Sequence, residues 1–322
     1  MKILLRASLF LAGVVSTVAV LAQPYPNRPV KFVVPFPPGG NLDFIARAIQ
    51  PRFSEQLGAT LIIDNKSGAA GIVGAEFAAR QPADGYNIFL GNTGTMALYP
   101  VVYPKLPYDA LKDFAAVGQI ASSSQLMAVH PSIPAKTLPE FIAFAKKNPG
   151  KLTIAIAGLG STAHFSAELL KARAGIDLLL VPYKGSGPAV TDVIGGQVSL
   201  IIDATTVSMP YVKAGRLRAI AVTSNKRLAA LPDVPSFEEA GLKGFNANGW
   251  QGLLVPTGTA AAAVARLSGA LMKTLALPDV RERFLEQGLD PAPSTPEQFG
   301  VFIRSEIEKW GKVAKVANLK VE

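Results

Sequence analysis

Val30-Lys-Phe-Val-Val-Pro-Phe-Pro-Pro-Gly-Gly-Asn-Leu-Asp-Phe-Ile-Ala-Arg47 spells a strand, a glycine turn and the start of a helix in one line. Residues 30–35 form a β-rich apolar run, Gly39 and Gly40 stop it, and Leu42, Ile45, Ile49, Phe53 and Leu57 then recur at helical spacing. Pro51 sits inside that pattern and is expected to kink or shorten the helix. The arrangement returns in the second half of the chain as Lys151-Leu-Thr-Ile-Ala-Ile-Ala-Gly-Leu-Gly-Ser-Thr-Ala-His-Phe-Ser-Ala-Glu168. There the run 152–157 halts at Gly158 and Gly160, and Ser161 opens a helix to about residue 174. Each junction leaves backbone N–H groups unpaired at the positive end of a helix dipole, an environment that suits an anion. Two such junctions, on halves that face each other, predict a clamp for a small carboxylate.

Short β-rich runs alternate with helical patterns over nearly the whole chain, the sign of α/β layering. Strands are expected at 61–63, 86–90, 125–130, 178–181, 198–202, 218–223 and 250–255, and the tract 99–114 reads as irregular. Helices are expected at 72–80, after the loop 182–188 up to Gly195, and in three closing patterns, 260–276, 279–287 and 296–316. The reading is a two-lobed Venus flytrap clamshell. Its first lobe is 23–122 plus 250–322, its second lobe is 123–249, and two crossing strands form the hinge. Ligands then belong between the lobes, near the C-terminal ends of the strands.

The first 22 residues read as a signal peptide. Lys2 and Arg6 precede an apolar stretch over 7–21, and Val20-Leu21-Ala22 fits the small-residue cleavage rule, so cleavage is expected after Ala22 with export to the periplasm. The apolar stretch is shorter than the roughly 20 residues that span a bilayer. The chain contains no cysteine, which removes disulfides, thiolate metal sites and cysteine nucleophiles together. His130 and His164 are too far apart in sequence to suggest zinc, and no metal or cofactor is expected. Lys and Arg number 32 against 23 Asp and Glu, but they are scattered without aromatic interleaving, so a nucleic-acid partner is not expected.

The candidate ligand-binding residues follow from the junctions. Gly39, Gly40 and Asn41, with Phe36 and Pro38 on the same turn, and Gly158, Gly160 and Ser161 opposite, are read as the two anion grips; alone, the first would be an ordinary turn with an Asn cap. Asp43 falls in the first helical turn, where the dipole favours a carboxylate, and would also suit a ligand ammonium. Asn92, Thr93 and Thr95 follow a strand and are expected to open into the cleft. His164 would either donate to a ligand carboxylate or cap its own helix. Tyr183 and Lys184 follow a strand in the second lobe, Lys184 as a supply of positive charge behind the site. Asp203 ends a strand; its carboxylate would repel an anion, so it should orient hydroxyl groups or receive an ammonium or hydroxyl.

These residues also carry a family resemblance. Residues 34–40 with Asp43, Asp64-Asn-Lys-Ser-Gly-Ala-Ala-Gly71, Pro82-Ala-Asp-Gly-Tyr86, Leu106-Pro-Tyr-Asp109 and Val181-Pro-Tyr-Lys-Gly-Ser-Gly-Pro-Ala189 resemble the Bug family in chain order. So do Gly195-Gly-Gln197, Ala221-Val-Thr-Ser224 and Leu231-Pro-Asp-Val-Pro235. Bug proteins are the periplasmic solute-binding receptors of tripartite tricarboxylate transporters. The resemblance implies a clamshell that binds organic carboxylates or acidic amino acids through loop amides and ordered water, with a membrane permease as partner. Asn41 departs from the Ser, Thr or Pro common at its position, and Ala157-Gly-Leu-Gly-Ser161 fits the second loop loosely, so the ligand stays open. A monomer without catalytic activity is expected. A ligand-presenting sensor subunit would have the same fold. A secreted hydrolase would need a Gly-x-Ser-x-Gly elbow with a triad acid and histidine following; Gly158-Leu-Gly-Ser161 has its serine in the wrong place, and Lys184-Gly-Ser-Gly187 lacks the spacing.

Overall fold

The computed structural model describes residues 25–316 except 225 and 246; the targeting segment read at 1–22 lies outside the described residues. The first sheet is built from β1 (Val30–Val34), β2 (Leu61–Asn65), β3 (Asn87–Asn92), β4 (Phe114–Ser123), β10 (Gly249–Pro256) and β11 (Leu289–Pro291), in the order β11-β4-β10-β3-β1-β2. The second holds β5 (Gln125–Val129), β6 (Thr153–Ile156), β7 (Leu179–Pro182), β8 (Leu200–Ala204) and β9 (Arg218–Val222), in the order β7-β6-β8-β5-β9. Parallel pairs β1–β2, β1–β3, β6–β7 and β6–β8 come from strand–helix–strand connections, while the strands that switch sheets run antiparallel to their neighbours.

The helices are α1 (Asn41–Leu57), α2 (Ile72–Ala79), α3 (Tyr99–Val102), α4 (Leu138–Lys147), α5 (Thr162–Ala174), α6 (Ser186–Ile194), α7 (Thr205–Lys213), α8 (Ala261–Ala276), α9 (Pro278–Glu286) and α10 (Pro296–Val316). Each sheet has its own core. Phe32, Ile45, Phe53, Leu253 and Leu271 join β1, α1, β10 and α8 in the first lobe. Met127, Phe141, Ile154, Leu170 and Phe237 fill the second.

The chain leaves the first sheet at Ser123 and enters the second at Gln125. It returns at Gly249, which pairs with Ser123. Side-chain bonds tie the two crossings together: the Gln125 N–H donates to Thr223 Oγ1 at 2.8 Å, and the Thr223 hydroxyl donates to Asn248 Oδ1 at 3.0 Å. β11 lies beside the same point through Leu289 opposite Ser123.

Three local expectations differ from the structure. Pro51 does not shorten α1, which continues to Leu57. The carbonyl its missing N–H would have engaged belongs to Arg47, and both residues are exposed, so water can replace the bond. The tract 99–114 is not irregular at its start. A widened helical turn, Gly94–Leu98, runs into α3, and Pro100 sits near the beginning of α3, where its lost donor costs little. Buried tyrosines hold this segment: Tyr99 donates to the Ala70 carbonyl at 2.6 Å and Tyr108 to the Thr95 carbonyl at 2.7 Å. Finally β4 and α7 had no clear pattern, because β4 is rich in Ala, Gly and Ser, and α7 opens on Thr-Thr-Val and contains Pro210.

Gly252, in the middle of β10, packs against Phe299 of α10. A Cβ there would lie 2.0 Å from the Phe299 ring. Gly252→Ala should therefore destabilise the protein by about 1–3 kcal/mol through overpacking. Chemical denaturation would show this as a lower midpoint with an unchanged slope.

Candidate functional site: a cavity walled by helix N-termini

A partly open cavity lies between the lobes, with about 70 Å³ accessible to the centres of water-sized atoms. Five helical segments point their N-termini at it. From the first lobe come Gly40, Asn41 and Leu42 at the start of α1, and Thr93 and Gly94 before α3. From the second come Ser161, Thr162 and Ala163 at α5, Ser186 and Gly187 at α6, and Asp203 and Ala204 before α7. Among the described residues, no lysine or arginine lines it. Positive potential is supplied instead by backbone N–H groups and helix dipoles from both sides.

Each terminus is shaped by local chemistry. Gly40, not Asn41, is the N-cap of α1, and no side chain caps it; Asn41 is the first helical residue. The expected Asn cap is thus replaced by a contact across the cleft, in which the Thr206 hydroxyl donates to Asn41 Oδ1 at 2.8 Å. Asp43 turns back into its own lobe, accepting from the Gly39 N–H at 3.0 Å, Arg47 Nε at 2.9 Å and Asn65 Nδ2 at 3.1 Å. Burial opposes its ionisation, but those bonds outweigh burial and hold its carboxyl below the usual range. At α5, Ser161 is the N-cap and accepts from the His164 N–H at 3.2 Å. His164 Nδ1 accepts from the Gly160 N–H at 2.9 Å, so the ring braces the loop.

Burial lowers the His164 pKa below its ordinary value, with a smaller opposing contribution from Glu168. The native state therefore favours the neutral ring, while the unfolded chain takes up a proton near pH 6.5. Stability from this group is full above that pH and is lost as pH falls below it. A melting series from about pH 7 to pH 5 should show a falling midpoint, with a shallower fall in His164→Gln. Equal slopes would assign the pH dependence to other groups.

Asp203 ends β8 at the cavity and is 8% exposed. Its Oδ1 accepts from the Ala204 N–H at 2.7 Å, while Oδ2 is buried with no hydrogen-bond partner. Burial pushes its carboxyl above the usual carboxylate range, partly offset by the nearby Ser186 hydroxyl and the Ala204 N–H. Gln251 on β10, 3% exposed, donates through Nε2 to Ser123 Oγ at 2.8 Å and leaves Oε1 buried without a partner.

Of the residues singled out in the sequence, Phe36, Gly40, Asn41, Asn92, Thr93, Ser161 and Asp203 line the cavity. Pro38, Gly39, Asp43, Thr95, Gly158, Gly160 and His164 stand behind it. Pro37 takes the place expected for Pro38, and Thr95 is occupied with Asn92, its N–H donating to Asn92 Oδ1 at 2.9 Å. Tyr183 and Lys184 are not brought to the wall. Tyr183 donates to Asp192 Oδ2 at 2.6 Å and Lys184 is exposed. The wall also contains residues no pattern singled out, among them Ser123, Gln125, Gly249, Trp250 and Gln251 beside the hinge. The available signal was weak: a glutamine or serine inside an otherwise apolar strand.

Contacts join the lobes around the cavity. Tyr103 donates to the Leu159 carbonyl at 3.1 Å, and Phe165 of α5 is buried against Trp310 of α10, ring centroids 5.5 Å apart. Near the hinge, the Thr205 hydroxyl donates to the Gln287 carbonyl at 2.9 Å.

Two α/β lobes closed over a small cavity of mixed polar and apolar lining define a two-lobed solute-binding protein. The chain belongs to the tripartite tricarboxylate transporter receptor family, whose sequence profile matches residues 45–319. It is similar along almost its whole length to solved structures. The periplasmic binding protein BugD is 34% identical with a TM-score of 0.89, covering 92% of this chain and 100% of that one. Rpa4515 of R. palustris with adipate is 36% identical with a TM-score of 0.90, covering 92% and 99%. MatC (Rpa3494) of Rhodopseudomonas palustris with bound malate is 33% identical with a TM-score of 0.85, covering 90% and 99%. The chain is thus a periplasmic solute-binding protein of the Bug type.

Proposed function

We propose that this protein captures a small organic carboxylate in the cavity between its lobes and presents the closed, loaded form to the permease of a tripartite tricarboxylate transporter. The observation that carries the reading is the convergence of helix N-termini from both lobes on one cavity. The amides of Gly94, Thr162, Ala163 and Gly187 supply donors at fixed positions, and the Asn41, Asn92 and Gln125 side-chain amides add more. The adipate and malate held by two similar proteins are ligands of the same class.

The mechanism is binding without chemistry. A carboxylate first meets one lobe; the other lobe then adds its own donors, so the ligand binds the closed arrangement more tightly and shifts the equilibrium toward it. Closure also buries Phe165 against Trp310 and forms the Thr206–Asn41 bond, contacts that contribute whether or not a ligand is present. The signal peptide, cleaved after Ala22, brings the chain to the compartment in which the permease is met.

A thermal-shift screen of the mature protein against organic acids and acidic amino acids tests the reading. A ligand at about 100 times its dissociation constant adds about 2.7 kcal/mol and raises the midpoint. A shift confined to carboxylates supports it; folded protein that no carboxylate stabilises would overturn it. Binding can be followed directly, because both tryptophans donate to Glu306 and Trp250 borders the cavity. Ligand should change the intrinsic emission.

A further inference from the structure

We infer that the cavity selects carboxylates that also carry a hydroxyl or ammonium group over plain dicarboxylates, with Asp203 and Gln251 as the residues that make the distinction. The inference rests on the carboxylate reading above and names the substrate class more narrowly.

It begins from the polar groups of the wall. Most of its side-chain acceptors are already engaged. Asn41 Oδ1 takes the Thr206 hydroxyl, Asn92 Oδ1 takes Thr95, Gln125 Oε1 takes the Ser166 hydroxyl and Ser161 Oγ takes the His164 N–H. Among the described residues, two buried acceptors on wall residues make no hydrogen bond, Asp203 Oδ2, beside the Ser186 hydroxyl, and Gln251 Oε1. They come from opposite lobes, Asp203 from the end of β8 and Gln251 from β10.

A plain dicarboxylate has only acceptor oxygens at neutral pH, so it satisfies the amide donors and leaves both atoms unpaired. A hydroxyl or ammonium on the carbon chain donates to them instead, and an ammonium also offsets the burial that otherwise favours the neutral Asp203 carboxyl. A site with buried groups built to pair with a substrate donor discriminates strongly against the analogue that lacks it, because the unpaired groups stay desolvated. Because the acceptors belong to different lobes, a donor between them also favours closure over one-lobe binding.

The test is calorimetric titration of the mature full-length protein with matched series. Succinate, glutarate and adipate are compared with their 2-hydroxy and 2-amino counterparts, malate and aspartate for the shortest. The expected result is that a substituted acid binds at least about tenfold more tightly than the plain acid of the same length, the scale of one hydrogen bond to a charged or buried acceptor. Asp203→Asn should remove most of that preference, read as the ratio of substituted-acid to plain-acid affinity within the variant; Gln251→Leu should reduce the ratio independently. The hydroxy and amino arms show which donor is preferred. Plain acids binding as tightly as their substituted partners, or both variants weakening every acid equally, would overturn the inference and leave the carboxylate reading intact. No binding by any of the acids would overturn both.

Discussion

Gly158→Val should leave both lobes folded and lower ligand affinity by about a hundredfold or more. Gly158 lies in the second lobe, and a Cβ on it would stand 2.6 Å from Ala70 Cβ in the first. Ala70 cannot easily retreat, since its carbonyl accepts the Tyr99 hydroxyl at 2.6 Å and its own φ is +54°. The collision is therefore between lobes, and opening the clamshell relieves it at the expense of the closed form. If the closed fraction falls below about one in a hundred, apparent affinity falls by the same factor. Gly160→Leu adds a second obstruction, its Cβ 3.0 Å from the Tyr103 ring and 3.3 Å from that of Tyr99. Gly40→Ala serves as the contrast. Its φ is −89° and its nearest neighbour is the Pro37 carbonyl oxygen at 3.7 Å, so a methyl fits. Calorimetry would measure affinity and circular dichroism would verify folding. Unchanged affinity in both Gly158→Val and Gly160→Leu would reject a mechanism that depends on close approach of the two loops.

Glu306→Leu should destabilise the protein by about 2–6 kcal/mol, at about 1–3 kcal/mol for each indole N–H left unpaired. Its side chain is buried on α10, where Oε2 accepts from Trp250 Nε1 at 3.0 Å and Trp310 Nε1 at 2.9 Å, and Oε1 from Lys309 Nζ at 2.9 Å. Lys309 reaches solvent and can be hydrated when the carboxylate goes, but the indoles cannot. Glu306→Gln keeps one acceptor and should lose markedly less. Thermal and urea denaturation would separate the variants, and equal stability of Glu306→Leu and wild type would show that the shared carboxylate contributes nothing net. The cluster also has a functional consequence. Trp250 borders the cavity and Trp310 receives Phe165 from the second lobe, so loosening Glu306 should weaken ligand binding even in molecules that remain folded.

The parts of this molecule legible in its sequence are those dictated by short-range chemistry. Val30–Val34 reads as a strand because its apolar residues bury and Lys31 alone points out. Ser161 reads as a helix start because its hydroxyl can take the amide of residue 164, which it does. Gly39, Gly158 and Gly160 announce turns, and each has a positive φ. From such junctions the two α/β lobes and the placement of Gly40, Asn41 and Ser161 at the cavity could be argued before any coordinates.

What the sequence could not determine is which polar groups end without a partner, and where the two lobes touch. Asn41 looked like a cap and instead accepts a hydroxyl from Thr206, a residue 165 positions away. Lys184 looked like a source of charge and stands in solvent, while among the described residues the wall carries no cationic side chain. Gln125, Trp250 and Gln251 gave only a weak local signal, because they reach the cavity through the pairing of strands at the hinge. Asp203 marks the boundary between the two kinds of information. Its position at a strand end was readable, but its unpaired oxygen follows from burial and from the directions of groups on separate lobes. Capping, turn geometry and periodicity act over a few residues and are written locally; desolvation and pairing across a cleft depend on atoms that only the folded chain brings together.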